Sequence, residues 1–232
     1  MRFEVELMLD STSINKDYRR CIVSVIKQCL SEEDFDEIYK ERKLRSFTFS
    51  PFIKTDSFSK DKIILKEKKI KLFFSTDSMT DGWILINAFR NNMKKELNFG
   101  KGKVIIEKVG TLVEKEIEDD IILFKTMSPI CIREQLDQTK SWYHDLDEKG
   151  IEILKENIKH QLKYEFPKSL LEEVKIKPLK IKRTIITNYE IQYPVTLGTL
   201  VISGDKKILE KLYKSGLGSK TSLGLGMLEV VQ

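Results

Sequence analysis

Apolar residues recur at strand spacing in some segments of this chain and at helical spacing in others. The order of these segments restricts the folds that the chain can adopt. Residues 2–9 alternate between apolar and polar side chains, as half-buried strands do, and residues 16–30 place apolar side chains at helical spacing, with Ser13 or Asn15 as the predicted cap. The patterns that follow predict a strand at Phe47 and Phe49 that stops at Pro51, a strand over 62–74, a helix over 78–97 and a strand over 104–106.

The second half of the chain repeats this order of elements. Its patterns predict a strand over 121–124, a helix over 147–164, basic strands over 175–193 that end at Pro194, a buried strand over 195–202, a helix over 205–215 and a strand over 227–231. Two units of the order β-α-β-β-α-β predict the α+β class, with two tandem ferredoxin-like (RRM-like) domains built on antiparallel sheets. We place these domains at residues 1–116 and 117–232, since 232 residues suffice for two compact units.

Composition excludes several classes of protein. Hydrophobic residues make up 41% and charged residues 33% of the chain, which allows a packed core. No apolar run approaches the roughly 18 residues that span a bilayer, so we expect no membrane partner and a cytoplasmic location. Three cysteines without metal-binding spacing and two isolated histidines, His144 and His160, predict neither disulfides nor a metal site, and we expect no cofactor. Both histidines are expected at the surface.

Positive charge is concentrated in two segments, although the net charge of the chain is only +5. Residues 40–71 hold eleven Lys or Arg residues against four acidic ones, and residues 174–189 hold five basic residues and no acidic one. The basic residues of the second segment are Lys175, Lys177, Lys180, Lys182 and Arg183. Such segregation favours binding of a polyanion such as nucleic acid; the alternative is that the lysines only solvate the surface.

The most informative stretch of the chain is a loop over residues 216–226, which holds four of the eleven glycines. These are Gly216, Gly218, Gly224 and Gly226, with Lys220 between the two pairs. Backbone without Cβ atoms can bring N–H groups close to an anion, so the loop is predicted to bind phosphate, the alternative being a helix C-cap at Gly216. Ser219 separates Lys220 from the preceding glycine, and a strand follows the loop, which excludes a Walker A motif and a dinucleotide fingerprint.

This loop resembles the C-terminal signature of the RAMP superfamily. Within it, the loop is similar to that of the CRISPR-associated endoribonucleases that process precursor CRISPR RNA, the Cas-six family. Further similarity is found in Phe47-Thr48-Phe49-Ser50, in Ser128-Pro129-Ile130, in Asn157 and in the opening strand and helix, so the resemblance covers essentially the whole chain. It implies metal-independent cleavage of repeat RNA, in which the 2′-hydroxyl attacks the phosphate and leaves a 2′,3′-cyclic phosphate and a 5′-hydroxyl.

The positions that carry catalysis in many members of this family differ here. Tyr39 stands where such members have a histidine, Ser24 where they have a tyrosine, and Arg45 where they have a lysine. A tyrosine with a pKa near 10 is only about 0.1% ionised at pH 7 and is therefore a weaker base than a histidine. The predicted catalytic residues are Tyr39, Lys40, Lys43, Arg45 and Ser24, with the cations stabilising the transition state.

The resemblance also implies ligands and partners. The implied ligands are CRISPR repeat RNA and its precursor. The resemblance implies that the glycine loop with Lys220 and the basic residues of 175–183 bind the RNA backbone. Subunits of a CRISPR effector complex are implied as further partners, and we expect a monomer or a homodimer. Because the usual histidine is absent, a repeat-RNA-binding homologue without cleavage, or a RAMP subunit of an effector complex, stays open as the alternative.

Overall fold

Two antiparallel sheets carry the fold, one from each half of the chain. The computed structural model describes residues 1–40, 46–137, 140–188 and 191–231, except for the side chains of Lys40 and Asn188. No helix in these ranges is long and apolar enough to cross a membrane.

The first half forms a sheet with helices on one face. Its elements are β1 (Arg2–Leu9), β2 (Ser13–Asn15), α1 (Tyr18–Cys29), α2 (Glu32–Phe35), a π-helical turn (Asp36–Lys40), β3 (Phe47–Phe58), β4 (Lys62–Thr76), α3 (Met79–Asn91), β5 (Glu96–Phe99) and β6 (Gly102–Leu112). The alternation in β1 buries Phe3, Val5 and Leu7 completely in one core with the inner faces of α1 and α3. The order β6-β1-β4-β3 is that of a ferredoxin-like fold, to which the short strands β2 and β5 are added.

The second half repeats this architecture. Its elements are β7 (Ile121–Thr126), β8 (Ile132–Gln135), β9 (Ser141–His144), α4 (Glu148–Leu162), α5 (Lys168–Glu172), β10 (Lys175–Asn188), β11 (Ile191–Ser203), α6 (Lys206–Ser215), a 3₁₀ turn (Thr221–Leu223) and β12 (Leu228–Val230). The order β12-β7-β11-β10 matches that of the first sheet, and β8 pairs only with β9 among the described strands. The prediction of tandem ferredoxin-like domains with antiparallel sheets is confirmed.

Neither proline ends a strand, contrary to the sequence prediction. β3 continues through Pro51 to Phe58, and β11 runs through Pro194. Among the described strands β3 pairs only with β4, and at Pro194 β11 pairs with β10 but not with β7, whose ladder covers only 199–203 of β11. A proline is tolerated where one edge of the strand needs no N–H donor.

Two helix boundaries also differ from the predictions. Ser13 and Asn15 do not cap α1, because they form β2 and pair with β4; Asp17 is the N-cap residue. The helix α3 ends at Asn91, since the apolar Leu97 belongs to β5 rather than to a further turn of helix.

A buried arginine joins the two halves. The Arg2 side chain is 3% exposed, and its Nη1 lies 2.7 Å from Oε2 of Glu229 in β12. The guanidinium stacks 3.7 Å above the ring of Tyr213 in α6 and donates to the carbonyl oxygen of the same residue at 3.1 Å. The first strand is thus tied to the last helix and last strand of the second half.

Candidate nucleic-acid interface

The loop of residues 216–226 lies between the two sheets and is held by the edge strand of the first sheet. Alternating side chains of the segment 47–50 point to opposite faces, so the phenylalanines enter the first core while the hydroxyls face the second half. Thr48 Oγ1 donates to the carbonyl oxygen of Leu225 at 2.7 Å, and Ser50 Oγ donates to that of Met127 at 2.6 Å. This segment therefore positions the glycine loop from outside its own domain.

The Ser-Pro-Ile segment holds the loop from the other side. The amide of Met227 donates to Ser128 Oγ at 2.9 Å, and the amide of Gly226 donates to the carbonyl oxygen of Pro129 at 2.8 Å. These bonds join segments that are about a hundred residues apart in sequence, as the separation of 99 between Met227 and Ser128 shows.

Asn157 on α4 provides the third support. Its Oδ1 accepts a hydrogen bond from Ser219 Oγ at 2.9 Å, and its Nδ2 donates to the carbonyl oxygen of Arg133 at 2.9 Å. One side chain thereby links α4, β8 and the glycine loop. The three short motifs that carry the family resemblance, 47–50, 128–130 and Asn157, therefore all support this loop or its flanking residues.

The glycines mainly allow the loop to pack closely. The prediction that their amide groups are free to bind an anion is wrong for Gly216, Gly224 and Gly226, whose amides donate to backbone carbonyl groups. Gly216 donates to the carbonyl oxygen of Leu212 at 2.9 Å, so the alternative of a helix C-cap is confirmed. Gly224 and Gly226 donate at 3.0 and 2.8 Å to the carbonyl oxygens of Thr221 and Pro129. A Cβ at Gly218 would lie 2.6 Å from the carbonyl oxygen of Cys131, so this position too requires glycine.

Lys220 is the cation that the loop presents. Its backbone has a left-handed φ of +61°, and its Nζ lies 4.8 Å and 5.4 Å from the ring centroids of Tyr193 and Tyr143. These two rings stack at 4.7 Å, so the lysine is held against an aromatic pair. Burial raises the pKa of the neighbouring Cys131 thiol to about 12, against the opposing influence of Lys220 and Arg133.

Four of the five predicted basic residues of β10 share one face of the second sheet. Lys175, Lys177, Lys180 and Lys182 pair with Ser203, Val201, Thr199 and Leu197 of β11, which are two residues apart and point the same way. A bulge makes this possible: Leu179 is an extra residue, 54% exposed, between Pro178 and Lys180, which pair with the consecutive residues Leu200 and Thr199. Gly198, which pairs with Ile181 next to the bulge, has a φ of +153°. We call these four side chains the lysine row.

Two further residues define the limits of this surface. Lys125 of β7 pairs with Thr199 and is exposed on the face of the lysine row, although sequence reasoning did not select it. Arg183 pairs with Thr196 and points to the other face, where its Nη1 lies 3.8 Å from Asp145 Oδ2. The structure therefore places Arg183 on the face opposite to the four lysines with which the sequence analysis grouped it.

Of the predicted catalytic side chains, those of Tyr39 and Ser24 lie in the described part of the chain. The Tyr39 ring stacks on Phe35 at 5.0 Å and meets Phe47 edge-on at 5.9 Å, and its hydroxyl oxygen is enclosed by protein. Ser24 is exposed on α1, where Gln28 Nε2 lies 3.4 Å from its Oγ. Lys43 and Arg45 lie outside the described residues, as does the side chain of Lys40.

The two histidines occupy different surroundings. His144 was expected at the surface but lies on β9 with 9% exposure, and its Nε2 is 2.7 Å from Glu134 Oε2. This contact lowers the pKa of the Glu134 carboxyl group. His160 is exposed, as expected, and it lines a cleft beside the glycine loop.

That cleft has a volume of about 500 Å³ and lies between β8, the last turns of α4 and the glycine loop. We call it the α4 cleft, and its lining includes Arg133, Gln135, Glu156, His160, Gln161 and residues 218–222. Sequence reasoning missed Arg133 and Gln135 because it did not predict the hairpin of β8 and β9.

Two ferredoxin-like folds in tandem, with a glycine-rich loop before the last strand, define the class of RAMP-like proteins. A family model described as CRISPR associated protein Cas6, C-terminal, matches residues 112–230, slightly more than half of the chain. This chain therefore belongs to the Cas6 family of CRISPR-associated proteins, as the resemblance of its glycine loop implied. Proteins of this family bind CRISPR repeat RNA and process precursor CRISPR RNA.

Individual relatives agree with this assignment. A curated CRISPR-associated endoribonuclease-like Cas6 protein of Pyrococcus furiosus is 25% identical over 181 residues, which cover 73% of this chain and 74% of the relative. A solved structure of a Cas6-related gene product from Pyrococcus furiosus matches with a TM-score of 0.83 at 22% identity, covering 100% of this chain and 98% of that one.

Two more solved structures share the fold, one described as an RNA-binding protein and one as a product complex. A RAMP protein described as binding different RNA substrates has a TM-score of 0.81 at 22% identity, with both chains covered completely. A Cas6 product complex has a TM-score of 0.72 at 12% identity, with 99% of both chains covered.

Proposed function

We propose that this chain binds CRISPR repeat RNA along the lysine row and at Lys220 of the glycine loop. We also propose that it cleaves precursor CRISPR RNA without a metal ion, by attack of a 2′-hydroxyl on the adjacent phosphate. The products are a 2′,3′-cyclic phosphate and a 5′-hydroxyl. The observation that carries the proposal is the lysine row, since a bulge aligns four exposed cations on the open face of an RRM-like sheet.

The geometry of this face suits a nucleic-acid backbone. Four lysine positions spaced over six residues of β11 span roughly 20 Å at about 3.3 Å per residue. Lys125 lies on the adjacent strand and widens the basic surface. The opposite face of the sheet carries Leu200 and Ile202, which are buried in the second core, so the lysines point away from the helices. Release of counterions from the RNA supplies the driving force for such contacts.

Cleavage requires a base for the 2′-hydroxyl, an acid for the leaving oxygen and positive charge at the phosphorane. We assign stabilisation of the phosphorane to Lys40, Lys43 and Arg45, and a lysine ammonium group of this set protonates the leaving 5′-oxygen. The exposed Ser24 of α1 orients the 2′-hydroxyl, whose proton passes to water. Tyr39 takes part only if its enclosed hydroxyl becomes accessible when RNA binds. Without a histidine near neutral pKa, turnover is expected to be slow.

One observation favours a second candidate function, which is binding of repeat RNA without cleavage. The hydroxyl of Tyr39, at the position where relatives carry the catalytic histidine, is enclosed between Phe35 and Phe47. A protein that keeps this arrangement would act as a repeat-RNA-binding homologue or as a RAMP subunit of an effector complex.

Incubation of the full chain with end-labelled repeat RNA in EDTA separates the two candidates. Cleavage predicts a shortened product that ends in a cyclic phosphate, whereas binding alone predicts a shifted but intact RNA. A Tyr39→Phe variant that cleaves at the wild-type rate would remove Tyr39 from the catalytic group. Wild-type protein that shifts no repeat RNA at physiological salt would contradict both candidates.

A further inference from the structure

The α4 cleft shares Lys220 with the binding proposed above, but its side chains from β8 and α4 have no role in that binding, and its shape is that of a ligand site. Its volume of about 500 Å³ falls within the range of roughly 300–1,000 Å³ that is typical of small-molecule sites. Its walls come from three elements that Asn157 links together, so the cleft is held by hydrogen bonds rather than by a single loop.

The charged side chains of the cleft favour an anion. The Arg133 Nε donates to Ser141 Oγ at 2.8 Å, which fixes the side chain, and its terminal amino groups have no partner among the described residues. Of the described residues in the lining, Glu156 is the one carboxylate, and it is paired with Lys159 at 2.7 Å. Lys220 adds a second cation on the loop side. The balance of charge in the cleft is therefore positive.

The remaining polar side chains suit a planar ligand with hydrogen-bonding edges. His160 is exposed and makes no hydrogen bond or ion pair within the described part of the chain. Gln135 is likewise exposed, and its side-chain amide makes no hydrogen bond to any described residue. Gln161 donates to Ser215 Oγ at 3.2 Å, while its Oε1 is buried with no hydrogen-bond partner in the structure. An imidazole ring and two amides can stack on a nucleobase and bond to its edge.

We propose that the α4 cleft receives one unpaired nucleotide of the bound RNA. Arg133 and Lys220 contact its phosphate, and His160 and Gln135 contact its base. The volume is far larger than a single phosphate needs, and a base accounts for the neutral polar groups that a phosphate leaves unused. This inference rests on the proposed RNA binding and adds to it a position at which the identity of one base is recognised.

An abasic scan of the RNA tests the inference. Single-stranded repeat RNA is chemically synthesised with an abasic residue at each position in turn and with a 2′-deoxy sugar at any cleavage site found in the EDTA experiment above, so that it stays intact. Its affinity for the full chain is then measured. Wild-type protein should lose about tenfold in affinity at one unpaired position, which is the size of one base contact. In the His160→Ala and Gln135→Ala variants, the abasic residue at that position should cause little further loss.

Control variants separate this effect from general changes in charge or stability. Glu152→Ala changes a residue of the same helix outside the lining of the cleft, and Lys101→Gln removes one exposed positive charge from the first domain. Both controls should keep the full abasic penalty. An unchanged penalty at every position in His160→Ala and Gln135→Ala would overturn the cleft assignment while leaving RNA binding intact. Wild-type protein that binds no repeat RNA would overturn the proposed function and the cleft with it.

Discussion

Gly224 occupies a position that no other residue fills without strain. Its backbone φ is +81°, and a Cβ built on it would lie 2.5 Å from Cε2 of the buried Phe49 ring. The loop thus approaches the first core so closely that a hydrogen atom is the largest side chain tolerated. Thr48 and Phe49, which are adjacent in β3, therefore act on the loop in different ways, one by a hydrogen bond and the other by its shape.

We expect Gly224→Ala to destabilise the protein by about 2–4 kcal/mol, because the left-handed backbone conformation and the overpacking against Phe49 each cost about 1–2 kcal/mol. Urea unfolding at pH 7 measures this loss. Gly110→Ala is the matched control, since its nearest contact would be an ordinary 3.8 Å to the Glu4 side chain. Equal stability of the two variants would contradict the strain assigned to Gly224.

Lys220 carries the other prediction at this scale. Its ammonium group is held over Tyr143 and Tyr193, so little side-chain entropy is lost when it meets a phosphate. Lys220→Ala should weaken repeat-RNA binding and reduce the slope of log affinity against log salt by about 0.7, the value for one phosphate of a single strand.

The charge-matched control for this measurement is Lys168→Ala, whose side chain on α5 is 85% exposed. Its salt slope should equal that of the wild type. If Lys220→Ala also keeps the wild-type slope, Lys220 makes no phosphate contact, and the loop would then be purely structural.

At the scale of the elements, the first sheet carries a network of ion pairs on its open face. Lys71 lies 3.3 Å from Glu4 and 3.1 Å from Glu6. The hydrogen bond from Lys108 lowers the pKa of Glu4 most, and the hydrogen bond from Lys69 does the same for Glu6. The lysines on this face are largely neutralised, whereas the four side chains of the lysine row form no ion pair with any described residue.

These lowered pKa values predict how stability depends on pH. A carboxylate whose folded pKa is lowered contributes fully above the ordinary value of 4.5, and the contribution is lost as pH falls through the folded pKa. Unfolding free energy from urea titrations should therefore decline below about pH 4.5. Lys71→Gln should make the decline shallower, because both carboxylates lose a partner. A variant with the wild-type pH dependence would show that this network does not contribute.

The elements also show how far the sequence determines the fold. Apolar periodicity predicted most strands and helices, and the glycine loop was found, because both signals are local. The effect of Pro51 and Pro194 was not predictable, since a proline ends a strand only where a neighbour needs its N–H, and strand neighbours are set by tertiary pairing.

The lysine row illustrates the same limit within the candidate site. In a regular strand, Lys175 and Lys180 would point to opposite faces, because they are five residues apart. The bulge at Leu179 reverses the phase and aligns them, and it depends on Gly198 in the neighbouring strand. The supports of the glycine loop were hidden for a similar reason: Asn157 and Thr48 act on it from distant parts of the sequence.

At the scale of the whole molecule, the proposed RNA-binding surface of the second half and the proposed catalytic residues of the first half can act on one RNA only while the two halves keep their arrangement. Arg2 is the most buried charged link between them, with a salt bridge to Glu229 of 2.7 Å and a stack on Tyr213. Removal of one partner from such a site leaves the other groups poorly satisfied, so Arg2→Ala should cost about 3 kcal/mol. Arg20→Ala, which breaks a pair of 3.5 Å between a half-exposed arginine and Asp17, should cost no more than about 1 kcal/mol.

The two tryptophans allow this coupling to be measured for each half separately. Trp83 lies in α3 and Trp142 in β9, so the variants Trp142→Phe and Trp83→Phe each leave one reporter in one half. With Arg2 present, both reporters should follow the same urea transition. With Arg2→Ala the two transitions should separate, because each half then unfolds with less support from the other. Coincident transitions in Arg2→Ala would contradict this role of Arg2, as would a stability equal to that of Arg20→Ala. Either result would mean that the arrangement of the two halves depends on other contacts between them, such as those of Thr48 and Ser50.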